Sequence, residues 1–220
     1  MAQYGGGHIE VDCLVKESAV KFNRETSLRL SAHAGTHLDF PSHFYRDGKK
    51  GDDYPLEAFF FERVALVECD CLESEAAVDS SVVAGLTDPS IELLLIKTHY
   101  CTLRDDERYW SDSPVVRGDL ASSLRSLFPK LRAVGFDLIS VTSRRDKDEG
   151  RRAHLDFLDG AGGREILLIE DMNLNAVSRS THFQRVMAVP VFFKDMEGSP
   201  CTVLAEVLDG VSSSVKKRPR

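Results

Sequence analysis

The stretch SAHAGTHLDFPSHF, residues 31–44, concentrates three histidines and a carboxylate within eleven positions. The four side chains are those of His33, His37, Asp39 and His43. Imidazole and carboxylate groups suit zinc, manganese or iron, and no cysteine lies in the stretch. The donor types therefore predict a divalent metal site, with zinc or manganese as the expected ion.

A single regular element cannot bring these side chains to one ion. A continuous strand would separate His33 from His43 by roughly 33 Å, whereas metal ligands lie about 2.0 to 2.2 Å from the ion. In a continuous helix Asp39 would point about 200° away from His37, and Pro41 would break the helix. We expect instead a strand that leads into a folded loop, because loops held on a rigid scaffold commonly carry sites.

The alternative interpretation is that these are ordinary histidines satisfied by hydrogen bonds. For one isolated histidine that interpretation would be preferred. Four donors at this density favour a metal site.

The same stretch resembles the HxGTHxDxPxH signature of the cyclase-like metal-dependent hydrolases, a family that includes bacterial kynurenine formamidase and isatin hydrolase. Three later segments are similar to other parts of the family pattern, and the likeness extends from about Leu28 to Leu174. These segments are ELLLIKTHY at Glu92–Tyr100, AVGFDLISV at Ala133–Val141, and HLDFLDGAGGREILLIEDMNL at His154–Leu174. One departure is His99, which stands where relatives carry glycine.

The resemblance assigns metal-binding roles to five residues. It implies that His33, His37 and Asp39 bind one ion. It further implies that His154 and Glu170 complete a binuclear site, in which Asp39 and Glu170 bridge the two ions. Some relatives use a single metal, so the resemblance implies one or two ions in each subunit.

Two of these residues lie far along the chain from the motif, and the sequence around each gives a weaker indication of a metal-binding role. Glu170 directly follows an apolar run that is typical of a strand, so it is expected at a strand end. There it would be either a site residue or an ordinary solvated charge. His154 lies on a predicted helix, Glu149–Leu158, with only weakly periodic apolar positions. Taken alone, it would be a surface residue.

The expected chemistry is hydrolysis by a metal-activated water. A bound divalent ion lowers the pKa of its water from 15.7 to about 7 and polarises a substrate carbonyl. The resemblance implies that His43 is the proton donor or acceptor. We expect an amide-type substrate, such as a formamide or a cyclic amide (lactam). The alternative is a metal-dependent ligand-binding protein, or a degenerate enzyme without turnover.

Composition limits the kinds of binding partner and the cellular location that we expect. The net charge of −7 gives no electrostatic reason to bind nucleic acid, so a small-molecule substrate is expected. No run of about 20 apolar residues predicts a membrane span. Five cysteines without an evident signal peptide favour a cytoplasmic protein. Relatives are commonly dimers or larger, which implies a homodimer or higher homo-oligomer.

The 220 residues, 42 % of them hydrophobic, are ample for one buried core. We predict one hydrolase domain over residues 1–210 and a disordered basic tail over residues 211–220. The mix of elements predicts an α/β fold with a strand-rich mixed core, and the resemblance implies a swivelling β/β/α fold. Strands are predicted at about Leu28–Ser31, Arg63–Cys69, Glu92–Thr98, Ala133–Asp137, Glu165–Glu170, Arg185–Phe193 and Thr202–Val207. Helices are predicted at about Ser80–Leu86, Asp119–Leu127 and Glu149–Leu158. The charged stretch Arg144–Arg152 is predicted to be a solvated loop.

Overall fold

The computed structural model describes residues 10–17, 21–73, 76–160 and 164–208. The predicted tail, residues 211–220, lies outside the described residues, as do residues 18–20. Within the described residues none of the helices is long and apolar enough to cross a membrane.

Strands supply most of the regular structure in the described residues. Their bounds are β1 Glu10–Glu17, β2 Phe22–Arg29, β3 His37–Asp39, β4 Phe60–Phe61, β5 Val64–Glu68, β6 Ala77–Val78, β7 Leu93–Lys97, β8 Val115–Val116, β9 Ala133–Phe136, β10 Leu167–Glu170, β11 Phe183–Pro190 and β12 Gly198–Val207. The α-helices are α1 Glu107–Ser111, α2 Asp119–Leu127 and α3 Lys147–Leu158.

Eight strands form one mixed sheet in the order β4-β11-β12-β3-β10-β9-β7-β5. Strands β5, β7, β9 and β10 run parallel, so their carboxyl ends meet at one edge. The short β3 lies between β10 and β12 and is antiparallel to both. Strand β11 also contacts β5, which curls the sheet until it is nearly closed. The architecture is a single mixed α/β domain, as the sequence predicted.

The two faces of this sheet bury separate apolar clusters. One contains residues of α2 and α3 packed on the parallel strands, including Leu120, Leu124 and Phe157. The other lies inside the curl of the sheet and includes Leu38 and Phe59. Strands buried on both faces read as continuous apolar runs, as LLLIK in β7 does.

Helix α3 buries one face, and this face carries His154. The buried positions are spaced at i, i+3, i+4, i+7 and i+8, the pattern of one helical stripe. They are Gly150, Ala153, His154, Phe157 and Leu158. Asp146 caps the helix, because its side chain accepts a hydrogen bond from the Glu149 backbone N–H at 2.9 Å.

Most predicted elements are present, and four predictions were wrong. The strand predicted at Leu28–Ser31 is β2, Phe22–Arg29, so residues 30 and 31 lie outside it. The segment predicted as the helix Ser80–Leu86 forms one 3-10 turn, Ser80–Val83. The stretch Arg144–Arg152 is not a loop throughout, because α3 begins at Lys147. The metal-ligand stretch is not only a loop, since it contains β3. Here long-range pairing with β10 and β12 overrides what the local sequence shows.

Strands β1 and β2 form an amphipathic hairpin that is exposed along its whole length. Residues directly opposite one another in an antiparallel pair share a face. Val11 opposite Leu28 and Val15 opposite Arg24 therefore lie on one face, which Cys13 and Phe22 also share. The other face is mostly polar.

Candidate metal centre

Strand β3 presents two polar side chains to one side of the sheet. Because side chains alternate along a strand, His37 and Asp39 share a face while Leu38 enters the apolar core. In the antiparallel pairing with β10, Glu170 lies directly opposite His37. All three polar side chains are buried, at 3 % exposure or less.

The imidazole of His37 is fixed by the backbone. Its Nδ1 lies 2.8 Å from the carbonyl oxygen of Gly35, so Nδ1 carries the proton and donates. This leaves Nε2 facing the two acids, 3.4 Å from Oδ1 of Asp39 and 3.4 Å from Oε2 of Glu170.

His154 repeats the arrangement from the helix side. Its Nδ1 lies 3.0 Å from the carbonyl oxygen of Gly150 and 3.1 Å from Oγ1 of Thr142. Its Nε2 lies 3.4 Å from Oδ2 of Asp39 and 3.4 Å from Oε1 of Glu170. Each carboxylate thus offers one oxygen to each imidazole.

These spacings fit a metal ion better than direct hydrogen bonds. Hydrogen bonds of N–H to oxygen are typically about 2.7 to 3.2 Å long. Donors placed about 2.0 to 2.2 Å from a tetrahedral ion are separated by roughly 3.3 to 3.6 Å. Asp39 Oδ2 is buried without a hydrogen-bond partner among the described residues. The cluster therefore fits a divalent cation in both donor chemistry and spacing.

The charges within the cluster favour a cation beside the acids. Burial disfavours a charged imidazole, yet the facing carboxylates of Asp39 and Glu170 outweigh it and raise the pKa of His37 and of His154 to about 10. Burial opposes ionisation of Asp39, but the surrounding imidazoles of His154, His33 and His37 hold its pKa well below the usual range. Two buried carboxylates need such compensation.

Glu170 receives two further donors that fix its orientation. Burial and the nearby charge of Asp39 raise its pKa, whereas the facing imidazoles of His154 and His37 lower it more. Its Oε1 accepts the backbone N–H of Val141 at 2.7 Å and the hydroxyl of Ser140 at 3.2 Å. The predicted position of Glu170 at a strand end is correct, and the residue is buried.

His33 and His43 lie on the outer side of the cluster. His33 sits in the turn before β3, with Nδ1 2.8 Å from Oδ1 of Asp39. His43 ends a 3-10 turn that begins at Pro41, and its ring centroid lies 4.3 Å from that of His33. Burial lowers the pKa of His43. Ligand atoms of Asp39, His43 and His154 all lie within 4.8 Å of one another.

The structure thus brings together all six residues singled out in the sequence. The expectation that His154, taken alone, is a surface residue was wrong, because its helix face packs against the sheet. The local sequence held a signal for this: counting Gly150 as a buried position completes the helical stripe that includes His154.

Sequence reasoning missed a group beside Glu170. The next residue, Asp171, has a positive φ of 55° and is 3 % exposed. Its carboxylate accepts hydrogen bonds from Arg104 and Tyr109, and its carbonyl oxygen accepts the Thr36 hydroxyl at 2.7 Å. The acid pair at 170–171 after an apolar run was a signal for it. The group ties the end of β10 to the turn that carries His33.

Comparison with known proteins shows which sequences the chain resembles. A model of the family described as putative cyclase matches residues 8–143. The chain is 28 % identical over 173 residues to a kynurenine formamidase of Bacillus cereus, covering 79 % of this chain and 75 % of that protein. It is 37 % identical over 116 residues to a kynurenine formamidase of Salinibacter ruber, covering 52 % and 51 %.

Solved structures share the fold. Isatin hydrolase A from Labrenzia aggregata, solved with benzyl benzoate bound, superposes with a TM-score of 0.72 at 19 % identity. The superposition covers 92 % of this chain and 84 % of that one.

Proposed function

The chain belongs to the putative cyclase family, and from this premise we propose that it is a metal-dependent hydrolase that cleaves C–N bonds of amide-type compounds other than peptides. The observation that carries the proposal is the pair of imidazoles, His37 and His154, each 3.4 Å from one oxygen of Asp39 and one of Glu170. These distances are longer than typical N–H···O hydrogen bonds and match the separation of two ligand atoms around one ion.

The residues that would hold the metal are those with converging lone pairs. His33, His37, Asp39, His154 and Glu170 would hold one or two ions. Zinc and manganese are the proposed ions, because imidazole and carboxylate ligands suit both. When bound, the ion supplies a nucleophilic water at neutral pH and polarises the substrate carbonyl.

The proton transfers are assigned to His43. Its ring stands between His33 and His154, with centroid distances of 4.3 and 6.0 Å. From there it can accept the proton of the attacking water and return it to the leaving nitrogen. His43 is the one of the six residues to which we give a proton-transfer role instead of a share in holding the metal.

Neighbouring groups orient the imidazoles of His37 and His154. The backbone carbonyls of Gly35 and Gly150 fix which nitrogen His37 and His154 present to the centre. Phe44 stacks on the ring of His154 at a centroid distance of 4.7 Å and covers that side of it.

The substrate class follows from the relatives. Kynurenine formamidase and isatin hydrolase are named for an open-chain formamide and a cyclic amide, respectively. We propose that this chain acts on one of these two types. A panel of N-formyl aromatic amines, isatin-like lactams and simple esters, assayed with added zinc and with manganese, tests the proposal.

The expected result of that panel is metal-dependent turnover of at least one amide, abolished by chelation. Asp39→Asn is the matched variant, because it keeps the shape of the side chain and removes the charge. Metal-loaded protein that hydrolyses none of the panel would contradict the proposal and favour a binding protein without turnover.

The setting and assembly are further parts of the proposal. The five cysteines are free, which supports a reducing, cytoplasmic environment.

A second copy of the chain is the proposed partner of the β1–β2 hairpin, because isolated two-stranded hairpins are marginally stable in water. The same chain also offers an exposed apolar segment at Val191, Phe192 and Phe193.

A further inference from the structure

The imidazole of His33 has one nitrogen without an assigned partner. Its Nδ1 faces Oδ1 of Asp39 at 2.8 Å. Its Nε2 is buried and makes no hydrogen bond among the described residues. The acid nearest to Nε2 is Glu197, whose Oε1 lies 3.5 Å away. His33 therefore stands between an inner and an outer carboxylate.

The backbone of Glu197 is fastened to the metal-ligand stretch. Its carbonyl oxygen accepts the N–H of Phe40 at 2.9 Å, directly after β3. The next residue, Gly198, pairs with Asp39 in the β12–β3 ladder. The side chain of Glu197 thus starts from a fixed point beside the inner acid, although the two residues are far apart in sequence.

Gly198 makes room for the imidazole. A Cβ atom at this position would lie 2.6 Å from Cε1 of His33 and 3.1 Å from both ring nitrogens. Real Cβ contacts are longer than this, so a side chain at this position would push the His33 ring away from the backbone of β12. Glu197 and Gly198 therefore both contact His33. The backbone of Gly198 lets the ring approach closely, and Glu197 places a carboxylate beside it.

We propose that Glu197 is a positioning residue for His33: once the metal is bound, its carboxylate accepts the Nε2–H of the imidazole, so that Nδ1 presents its lone pair to the metal. The inference rests on the proposed function, because it concerns how one ligand is oriented. Metal-binding histidines commonly donate their second N–H to a carboxylate or a carbonyl, and loss of that partner weakens metal binding about 10- to 100-fold. For His37 and His154 the partners are carbonyls, and Glu197 is the corresponding group for His33.

A competing arrangement uses the same residues. Ligand atoms of His33, His43 and Glu197 lie within 4.8 Å of one another, a set that could hold a separate outer ion. In that arrangement Nε2 would bind the outer ion, whereas in the proposed one Nε2 donates its proton to Glu197. The experiment below distinguishes the two.

The test compares Glu197→Ala, Glu197→Gln and Glu206→Ala, an exposed glutamate on the same strand β12 that serves as the control. Zinc affinity is measured by competition with a chelator, together with the number of ions bound at saturation and the thermal unfolding of metal-free protein. The tautomer of His33 is read from nitrogen-15 NMR.

We expect Glu197→Ala to weaken zinc binding about 10- to 100-fold, with unchanged stoichiometry and unchanged unfolding of the metal-free protein. Glu197→Gln keeps an oxygen acceptor and should restore most of the affinity. In the zinc-loaded wild type and in zinc-loaded Glu197→Gln, the proton of His33 should reside on Nε2.

Equal affinity in the wild type and in Glu197→Ala overturns the inference and leaves the proposed function intact. Loss of one bound ion, without a change in the affinity of the others, overturns it in favour of the outer ion. A wild-type chain that binds no metal removes the proposed function itself.

Discussion

At the scale of single residues, the centre depends on hydrogen bonds that select one nitrogen of each imidazole. His37 and His154 use the same device, a backbone carbonyl on Nδ1, although one comes from a strand and the other from a helix. The acids Asp39 and Glu170 then face Nε2 from opposite strands of one ladder. Backbone groups with no role in the proposed chemistry thus fix the orientation of the side chains that would perform it.

His43→Ala tests whether His43 transfers protons while the other five residues bind the metal. We expect the turnover number to fall about 100- to 10,000-fold, because a general acid–base group is removed. Metal content should stay at the wild-type level, since the other five side chains still hold the ion. Both are measured on the same preparation, by steady-state kinetics and by elemental analysis.

His182→Ala is the control, because His182 is an exposed histidine just before β11. It should change neither quantity. A metal-free His43→Ala protein would show that His43 is a ligand instead of a proton carrier.

The motif residues could be predicted because their types and spacing are unusual in sequence. Glu197 and Asp171 could not be assigned in this way. Glu197 lies beside His33 only because β12 pairs with β3, and the local sequence does not encode that pairing. Asp171 stood beside a predicted site residue, yet its role depends on Arg104, which is distant in sequence.

At the scale of elements, strand β3 and helix α3 decide whether the site forms. Strand β3 has three residues, too few for a periodic pattern, and two of them are polar and buried. It is a strand because β10 and β12 pair with it on both sides. The parallel strands and α2 were predictable, because their apolar runs and periodicity are local. His99 also fits its site, since it adopts a φ of 65°, the region that glycine favours.

Gly150→Ala tests how α3 is seated. Alanine is favoured over glycine inside a helix by about 1 kcal/mol. However, a Cβ at this position would lie 2.5 Å from the Thr142 Cα, a backbone atom that cannot move aside alone. Overpacking of this kind typically costs about 1 to 3 kcal/mol, so we expect a net loss of stability in urea unfolding.

The matched control is Gly85→Ala, where no atom lies within 4 Å of the added Cβ. It should leave the free energy of unfolding almost unchanged. A stabilised Gly150→Ala protein would contradict the close packing of α3 on Thr142. Weakened zinc binding is expected as well, because α3 carries His154.

At the scale of the whole molecule, the centre is assembled where separate parts of one sheet meet. Residues from the motif stretch, α3 and β10 converge although they are far apart in sequence, so no local pattern could establish their contact. The fold class followed from composition and periodicity, and the resemblance supplied the pairing of early and late residues. The exposed hairpin of β1 and β2 was not predicted from the sequence. None of the described residues covers its apolar face.

The proposed homodimer is tested by light scattering. We expect the wild type to have at least twice the mass of one chain, because the apolar face of the hairpin needs cover. Val15→Asp places a charge on that face and should shift the protein toward the monomer. Leu14→Asp is the control: Leu14 is exposed to a similar degree, 52 % against 50 %, but points to the opposite face. A wild type that is strictly monomeric would contradict the proposal.

The most direct test of the central claim is elemental analysis of the purified chain after loading with zinc or manganese and removal of free ions. The wild type and a Glu165→Gln control, whose side chain instead pairs with Lys49 at 2.5 Å, should retain divalent metal, whereas Asp39→Asn should lose it while keeping its fold. Metal-free wild type, or equal metal content in Asp39→Asn, would contradict the account.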